Sequence, residues 1–153
     1  MKLLLLTKDN IPFARGEAET LLGNGTLDEN ILLIDTKKTT DRLACTRVIA
    51  EVLFEATEKN IEQKMKAFNW NKIVKKTFAV TFRDDEQMSQ SLSKHYGGII
   101  YDLLKNPKVK LDNPGANIFI FRTKKKLYVT KFEWENTENF LIRNQKTWPA
   151  QRP

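Results

Sequence analysis

With 153 residues, 41% of them hydrophobic and 29% charged, the chain can bury one moderate core or two small ones. It is too polar and too short of Gly and Pro for a fibrous or disordered class. A single cysteine, Cys45, and a single histidine, His95, exclude an internal disulfide framework and a zinc site of the multi-Cys/His kind, so no metal is expected.

In chain order, Lys2–Thr7 suits a strand. Its apolar stretch Leu3–Leu6 gives way at once to Thr7-Lys8-Asp9, whereas a signal peptide needs an apolar region of roughly 7–15 residues and a membrane helix about 20. A soluble cytoplasmic protein is therefore expected. Pro12 can open a helix, Phe13, Ala14, Ala18, Leu21 and Leu22 give it an apolar stripe, and Gly23-Asn24-Gly25 ends it. Ile31–Ile34 reads as a second strand. Thr40-Asp41 can start one helical turn, and Arg47–Phe54 has the β-branched content of a strand, with a longer helix through the same residues as the competing reading. Asn60 can cap a helix that carries Ile61, Met65 and Phe68 on one face. Strands alternating with helices over so short a span point to a ferredoxin-like layer of helices on an antiparallel sheet.

The polar stretch from Asn69 to Lys76 is the expected domain boundary, because the charge balance changes there. Residues 1–70 carry 10 Lys/Arg against 11 Asp/Glu, a net of −1, and residues 71–153 carry 16 against 8, a net of +8. Lysine and arginine gain by displacing condensed counterions from phosphates, so the asymmetry favours a polyanion partner for the second half over a merely solubilising surface. The predicted organisation is a first domain at 1–70, a second at 71–136 and a linker at 137–153.

In the second half, Phe78, Val80 and Phe82 alternate with Thr77, Ala79 and Thr81 as in a half-buried strand that delivers Arg83 at its carboxyl end. Glu86–Lys105 then has Met88, Leu92, Tyr96, Ile99, Ile100, Leu103 and Leu104 at helical spacings. Ser91, Lys94, His95, Gly98 and Asp102 fall on the opposite side. Each of Gly97 and Gly98 weakens a helix interior by about 1 kcal/mol relative to Ala, so the pair marks a helix break or a close approach to the backbone by a neighbouring element or by RNA phosphate. Asn106-Pro107 ends this region, Val109–Leu111 can form a short strand, and Asn113-Pro114-Gly115 is a turn. Asn117–Arg122 is apolar on both faces, as in a central strand, and Leu127–Phe132 pairs with it through a turn at Thr123–Lys126. The turn's lysines, Lys124, Lys125 and Lys126, are explained equally by a solvated tip and by phosphate contact.

The succession of a strand ending in Arg83, a helix with Lys94-His-Tyr-Gly-Gly-Ile-Ile-Tyr101, then Val109-Lys-Leu-Asp-Asn-Pro114 and a basic hairpin resembles THUMP domains, RNA-binding modules of tRNA-modifying enzymes. Their usual pattern has a Gly-rich helix followed by V-[DN]-L-x-N-P and a basic strand pair; Lys110 stands here in place of the usual polar residue after the Val. Pro12–Glu17 and Asp41–Arg47 look like the ferredoxin-like domain that precedes THUMP in archaeal tRNA guanosine N2-methyltransferases, and Phe140–Arg143 with Trp148–Pro153 resembles the linker into their catalytic domain. The resemblance implies an α+β fold: an N-terminal ferredoxin-like domain, then an α/β THUMP domain with a mixed sheet.

It further implies a module that grips the acceptor-stem 3′ end of tRNA and positions it for a guanosine N2-methyltransferase domain, acting at position 10, that this chain does not show. Such a domain uses S-adenosylmethionine and an acidic-Pro-Pro-aromatic loop, and no Pro-Pro pair occurs here. No catalytic residue and no cofactor are therefore expected in this chain. Arg83, Lys94, His95, Arg122, Lys124, Lys125 and Lys126 are the expected RNA-binding residues. Tyr96, Tyr101 and Trp134 are aromatics that can stack bases, with core packing as the competing role. Two alternatives stand beside this reading. One is a stand-alone adaptor that presents tRNA to a separate modifying enzyme. The other is a metal-dependent nuclease built on Asp84-Asp85-Glu86, which is disfavoured because three adjacent residues cannot all point into one site from a regular element.

Overall fold

The computed structural model describes residues 1–40, 42–84 and 87–136. The chain divides into two compact units, one formed by 1–50 with the segment from Glu133 onward, the other by Glu51–Phe132.

The first unit contains β1 (Lys2–Leu6), α1 (Ile11–Leu22), β2 (Thr26–Asp28), β3 (Ile31–Ile34) and the start of β4 (Thr46–Ala56). Its strands lie in the order β2-β3-β1-β4, with β3 antiparallel to both β1 and β2. That is the strand order of the ferredoxin-like pattern expected from the sequence, with one difference. Residues 36–40 and 42–45 form no helix, so the turn expected at Thr40 is absent. Asn10 caps α1 by accepting the Phe13 N–H at 3.1 Å, and Gly23 ends it with φ 107° while its N–H reaches Glu19 O at 2.9 Å. The buried stripe of α1 is Ala14, Ala18 and Leu22 alone. Phe13 and Leu21, expected in that stripe, are 62% and 39% exposed, because a one-residue step turns each about 100° away from the i, i+4, i+8 row. Gly25 permits no side chain, since a Cβ there would lie 2.5 Å from Leu33 O. The core joins this stripe to Leu4, Leu6, Leu32, Ile34, Leu43 and Ile49, with Trp134 packed against it.

The second unit holds the rest of β4, α2 (Ile61–Ala67), a 3-10 turn at Trp70–Lys72, β5 (Thr77–Asp84), β6 (Gln87–Ser89), α3 (Gln90–Leu103), β7 (Lys108–Val109), β8 (Ala116–Arg122) and, as far as Phe132, β9 (Leu127–Glu135). Its strands lie in the order β4-β9-β8-β5-β6, with β7 beside β5. β5 is parallel to β8 and to β7, and β8 is antiparallel to β9, so this sheet is mixed. As its two apolar faces require, β8 is central: Ile118 and Ile120 join the main core, while Phe119 and Phe121 are buried on the other face.

The division between units does not fall at residue 70. α2 and the 3-10 turn belong to the second core, where Ile61, Met65 and Trp70 meet Phe78, Phe82, Ile100 and Ile118. The Trp70 indole donates to Met65 O at 2.8 Å, and Phe54, Phe68 and Trp70 form a chain of ring contacts with centroids 4.7–6.2 Å apart. A tryptophan buried to 1% exposure outweighs the polar residues around it as a marker of where a core lies. The linker expected at 137–153 lies outside the described residues.

Candidate nucleic-acid interface

The expected RNA-binding residues are set by β5, α3 and the turn between β8 and β9. α3 begins at Ser89, whose hydroxyl accepts the Leu92 N–H at 3.3 Å, and it packs on β5 through Tyr96 and Ile100. The opposite face of α3 is open: Ser91, Lys94, His95, Gly98 and Asp102 are all exposed, as the spacing predicts. The two glycines do not break the helix, which runs unbroken through them. A Cβ on Gly97 would make ordinary contact with Val80 at 3.7 Å, and one on Gly98 would meet nothing within 4 Å. Packing therefore does not explain Gly98.

Strand alternation separates two of the expected arginines. Arg122 pairs in register with Asp84, and Arg83 with Phe121, so the guanidinium of Arg83 projects to the other face of the sheet. There it is only 6% exposed and lies 5.7 Å from the Phe119 ring centroid. The carboxyl end of β5 thus delivers Arg83 to a buried place rather than to the open surface expected from the sequence.

Arg122, by contrast, is the hub of a charged cluster. One of its nitrogens meets Asp84 Oδ2 at 2.5 Å and another meets Glu58 Oε1 at 3.2 Å, and its guanidinium lies over the Phe82 ring at 5.2 Å. The hydrogen bond from Arg122 holds the Asp84 carboxyl below its usual value and raises Arg122 in return. Phe82 also stacks with Tyr96, at 5.7 Å and 15°. Burial, then Glu62 and Glu58, push the Tyr96 phenol upward, so it stays neutral. His95 Nε2 lies 2.6 Å from Glu62 Oε1 and sits edge-on to Tyr96. Lys126 Nζ reaches Glu55 Oε2 at 3.1 Å.

The β8–β9 turn is held from within by Thr123. Its N–H donates to Lys126 O at 2.9 Å, and its hydroxyl oxygen accepts the N–H groups of Lys125 and Lys126 at 3.3 and 3.1 Å. With its own turn bonds satisfied, the loop presents Lys124, Lys125 and Lys126 outward. Thr57, Glu58 and residues 122–127 line a shallow depression of about 160 Å³.

The structure therefore gathers Lys94, His95, Arg122 and Lys124–Lys126 near one end of the second unit and leaves Arg83 on the other face. It also brings in carboxylates that reading the sequence from residue 71 onward did not reach: Glu55, Glu58 and Glu62. Their mutual spacing of three and four residues was the available signal. Among the described residues, Lys94 and Lys125 make no side-chain ion pair or hydrogen bond. Of the aromatics, Tyr96 is buried, Trp134 packs in the first unit, and Tyr101 is 47% exposed. Asp84, the first residue of the nuclease alternative, is taken up by Arg122; Asp85 and Glu86 lie outside the described residues. No group of three or more His, Cys, Asp and Glu among the described residues is placed to hold a metal ion. None of the described helices is long and apolar enough to cross a membrane.

The family model of the THUMP domain matches residues 55–130, which lie wholly within the second unit and include α2. No curated protein matches the chain. Solved structures share its fold at low identity. TrmN from Thermus thermophilus is 13% identical with a TM-score of 0.66, over 99% of this chain and 50% of that one. PH1313 from Pyrococcus horikoshii Ot3 is 14% identical with a TM-score of 0.57, over 89% and 55%. A 4-thiouridine synthetase solved with RNA and ATP is 12% identical with a TM-score of 0.54, over 85% and 40%. This chain thus spans 40–55% of the length of these three proteins.

Proposed function

We propose that this chain, whose residues 55–130 are a THUMP domain, is a tRNA-binding module that recognises the acceptor-stem 3′ end. In this reading it holds tRNA for a guanosine N2-methyltransferase domain acting at position 10. That domain would lie outside this sequence, would carry the S-adenosylmethionine site, and would act in the cytoplasm as in the archaeal enzymes the sequence resembles. The observation that carries the proposal is the place of the charge. The unit matched by the THUMP model holds 16 Lys/Arg against 9 Asp/Glu, a net of +7, and the other unit holds 10 against 10.

Phosphate attraction requires cations in excess of local carboxylates, and only the second unit has them. Tyr101 and the bare backbone at Gly98 add a ring and a close-approach site for unpaired terminal nucleotides. The 4-thiouridine synthetase, solved with RNA, and the greater length of all three proteins, which leaves room for a further domain, give this reading context. A stand-alone adaptor would use the same surface with the enzyme in trans.

The test is binding of the intact chain to whole tRNA and to tRNA trimmed of its single-stranded 3′ end. Weaker binding to the trimmed molecule is expected. Equal affinity for both would remove acceptor-end recognition while leaving tRNA binding, and no binding to either would remove the function.

A further inference from the structure

The excess charge of the second unit is not confined to the Arg122 end. There, the cations Lys59, Lys64, Lys94, Arg122 and Lys124–Lys126 accompany the carboxylates Glu55, Glu58, Glu62 and Asp84, so seven positive charges meet four negative ones. The larger excess lies where β5 begins. Lys75 and Lys76 run directly into Thr77, with Lys72 three residues upstream. Thr77 pairs with Lys108, and the Lys110 N–H donates to Phe78 O at 3.0 Å. Lys105 lies on the short link from α3 to β7. Three separate stretches of chain thus bring six exposed lysines to one end of the unit, against only Asp102 and Asp112 in the same stretches. None of the six makes an ion pair among the described residues.

Beside them stand the most exposed large apolar side chains among the described residues of this unit, Leu111 at 84% and Val109 at 56%, with Tyr101 at 47%.

We propose that this lysine pole, at the amino end of β5, is a second RNA contact, one that holds the phosphate backbone while the Arg122 end holds another part of the same molecule. The proposal rests on the tRNA-binding reading. β5 spans eight residues, which puts the two ends about 23 Å apart at the usual strand rise. One extended polyanion can cover that distance, and a free phosphate cannot. The cations are all lysines, spread over separate segments rather than set as planar forks. Such an arrangement attracts backbone phosphate without reading sequence or recognising a particular carboxylate pair. Leu111, Val109 and Tyr101 then lie against sugar or base faces that a bound strand presents.

The experiment compares the full chain with four variants: K105Q/K108Q/K110Q, its charge-preserving counterpart K105R/K108R/K110R, K94Q/K125Q and L111S. The measurement is the slope of log affinity for tRNA against log salt, with thermal melting to confirm that each is folded. All six positions are exposed, so the melts should be unchanged. The triple Gln variant should flatten the slope by about 2 to 3, at roughly 0.7–0.9 for each phosphate that is no longer neutralised. The triple Arg variant should keep the original slope. L111S should weaken binding at every salt concentration without altering the slope. If the chain binds tRNA and the triple Gln variant leaves the slope unchanged while K94Q/K125Q flattens it, the lysine pole is not an RNA contact and serves a partner of another kind. If the unaltered chain does not bind tRNA at all, the tRNA-binding reading falls and this inference with it.

Discussion

Arg122 is held by two carboxylates and an aromatic face at once, and this sets what it can contribute to RNA. To reach phosphate it must first leave Asp84 and Glu58, so its net effect on binding is smaller than that of an unpaired lysine. The Arg122 hydrogen bond keeps the Asp84 carboxyl below its ordinary value of 3.8. A group whose folded pKa is depressed stabilises the fold above its unfolded value, and that contribution is lost as the pH falls through the folded one. The pair therefore opens only on acidification below 3.8, and its effect on stability is small because both partners are solvent-accessible. In a carbon-detected NMR titration the Asp84 carboxyl should titrate below 3.8 in the unaltered chain and at a higher pH in R122Q. No difference between the two would mean that the contact is not formed in solution. K94Q should weaken tRNA binding more than R122Q, because Lys94 has no carboxylate partner to leave.

At the scale of elements, α3 carries the clearest test. Gly98 is exposed, helical, and free of any neighbour a Cβ would touch. Replacing it with alanine should stabilise the protein by about 1 kcal/mol in thermal or denaturant unfolding. If the bare backbone serves RNA, the same G98A protein should bind tRNA less tightly; tighter or equal binding would assign the glycine no part in recognition. The open face of α3 was legible from its spacing, because exposed positions recur at three and four residues and Tyr96 and Ile100 mark the buried side. The β8–β9 hairpin was equally legible, because an apolar run, a basic four-residue turn and a second apolar run admit few other arrangements. The place of Arg83 was obscured, since the end of a strand gives no sign of which face its last residues take until the partner strand fixes it. α2 was misplaced for a different reason. Its few apolar residues fit either core, and only Trp70, Phe68 and Phe54 coming together reveals which one it joins.

The two units differ in charge and in what holds them. The first is neutral, and its core is a single helix on a four-stranded sheet order. The second bears the whole net charge and depends on α2 and the 3-10 turn for much of its core. A chain begun at residue 71 loses Ile61, Met65 and Trp70 together, and should unfold without cooperativity. Even W70A alone should cost about 3–5 kcal/mol in denaturant unfolding. A cooperative transition in the fragment would show that α2 is dispensable to that core.

The central claim is that the second unit binds tRNA through phosphate charge, and the salt dependence of tRNA affinity of the intact chain tests it most directly. Six exposed lysines without a carboxylate partner among the described residues at one end, with Lys94 and Lys125 at the other, predict a linear fall of log affinity with log salt. The slope should be about −3 or steeper if about four of them engage phosphate. Affinity that does not change between low and physiological salt, or the absence of tRNA binding by the folded chain, would contradict it.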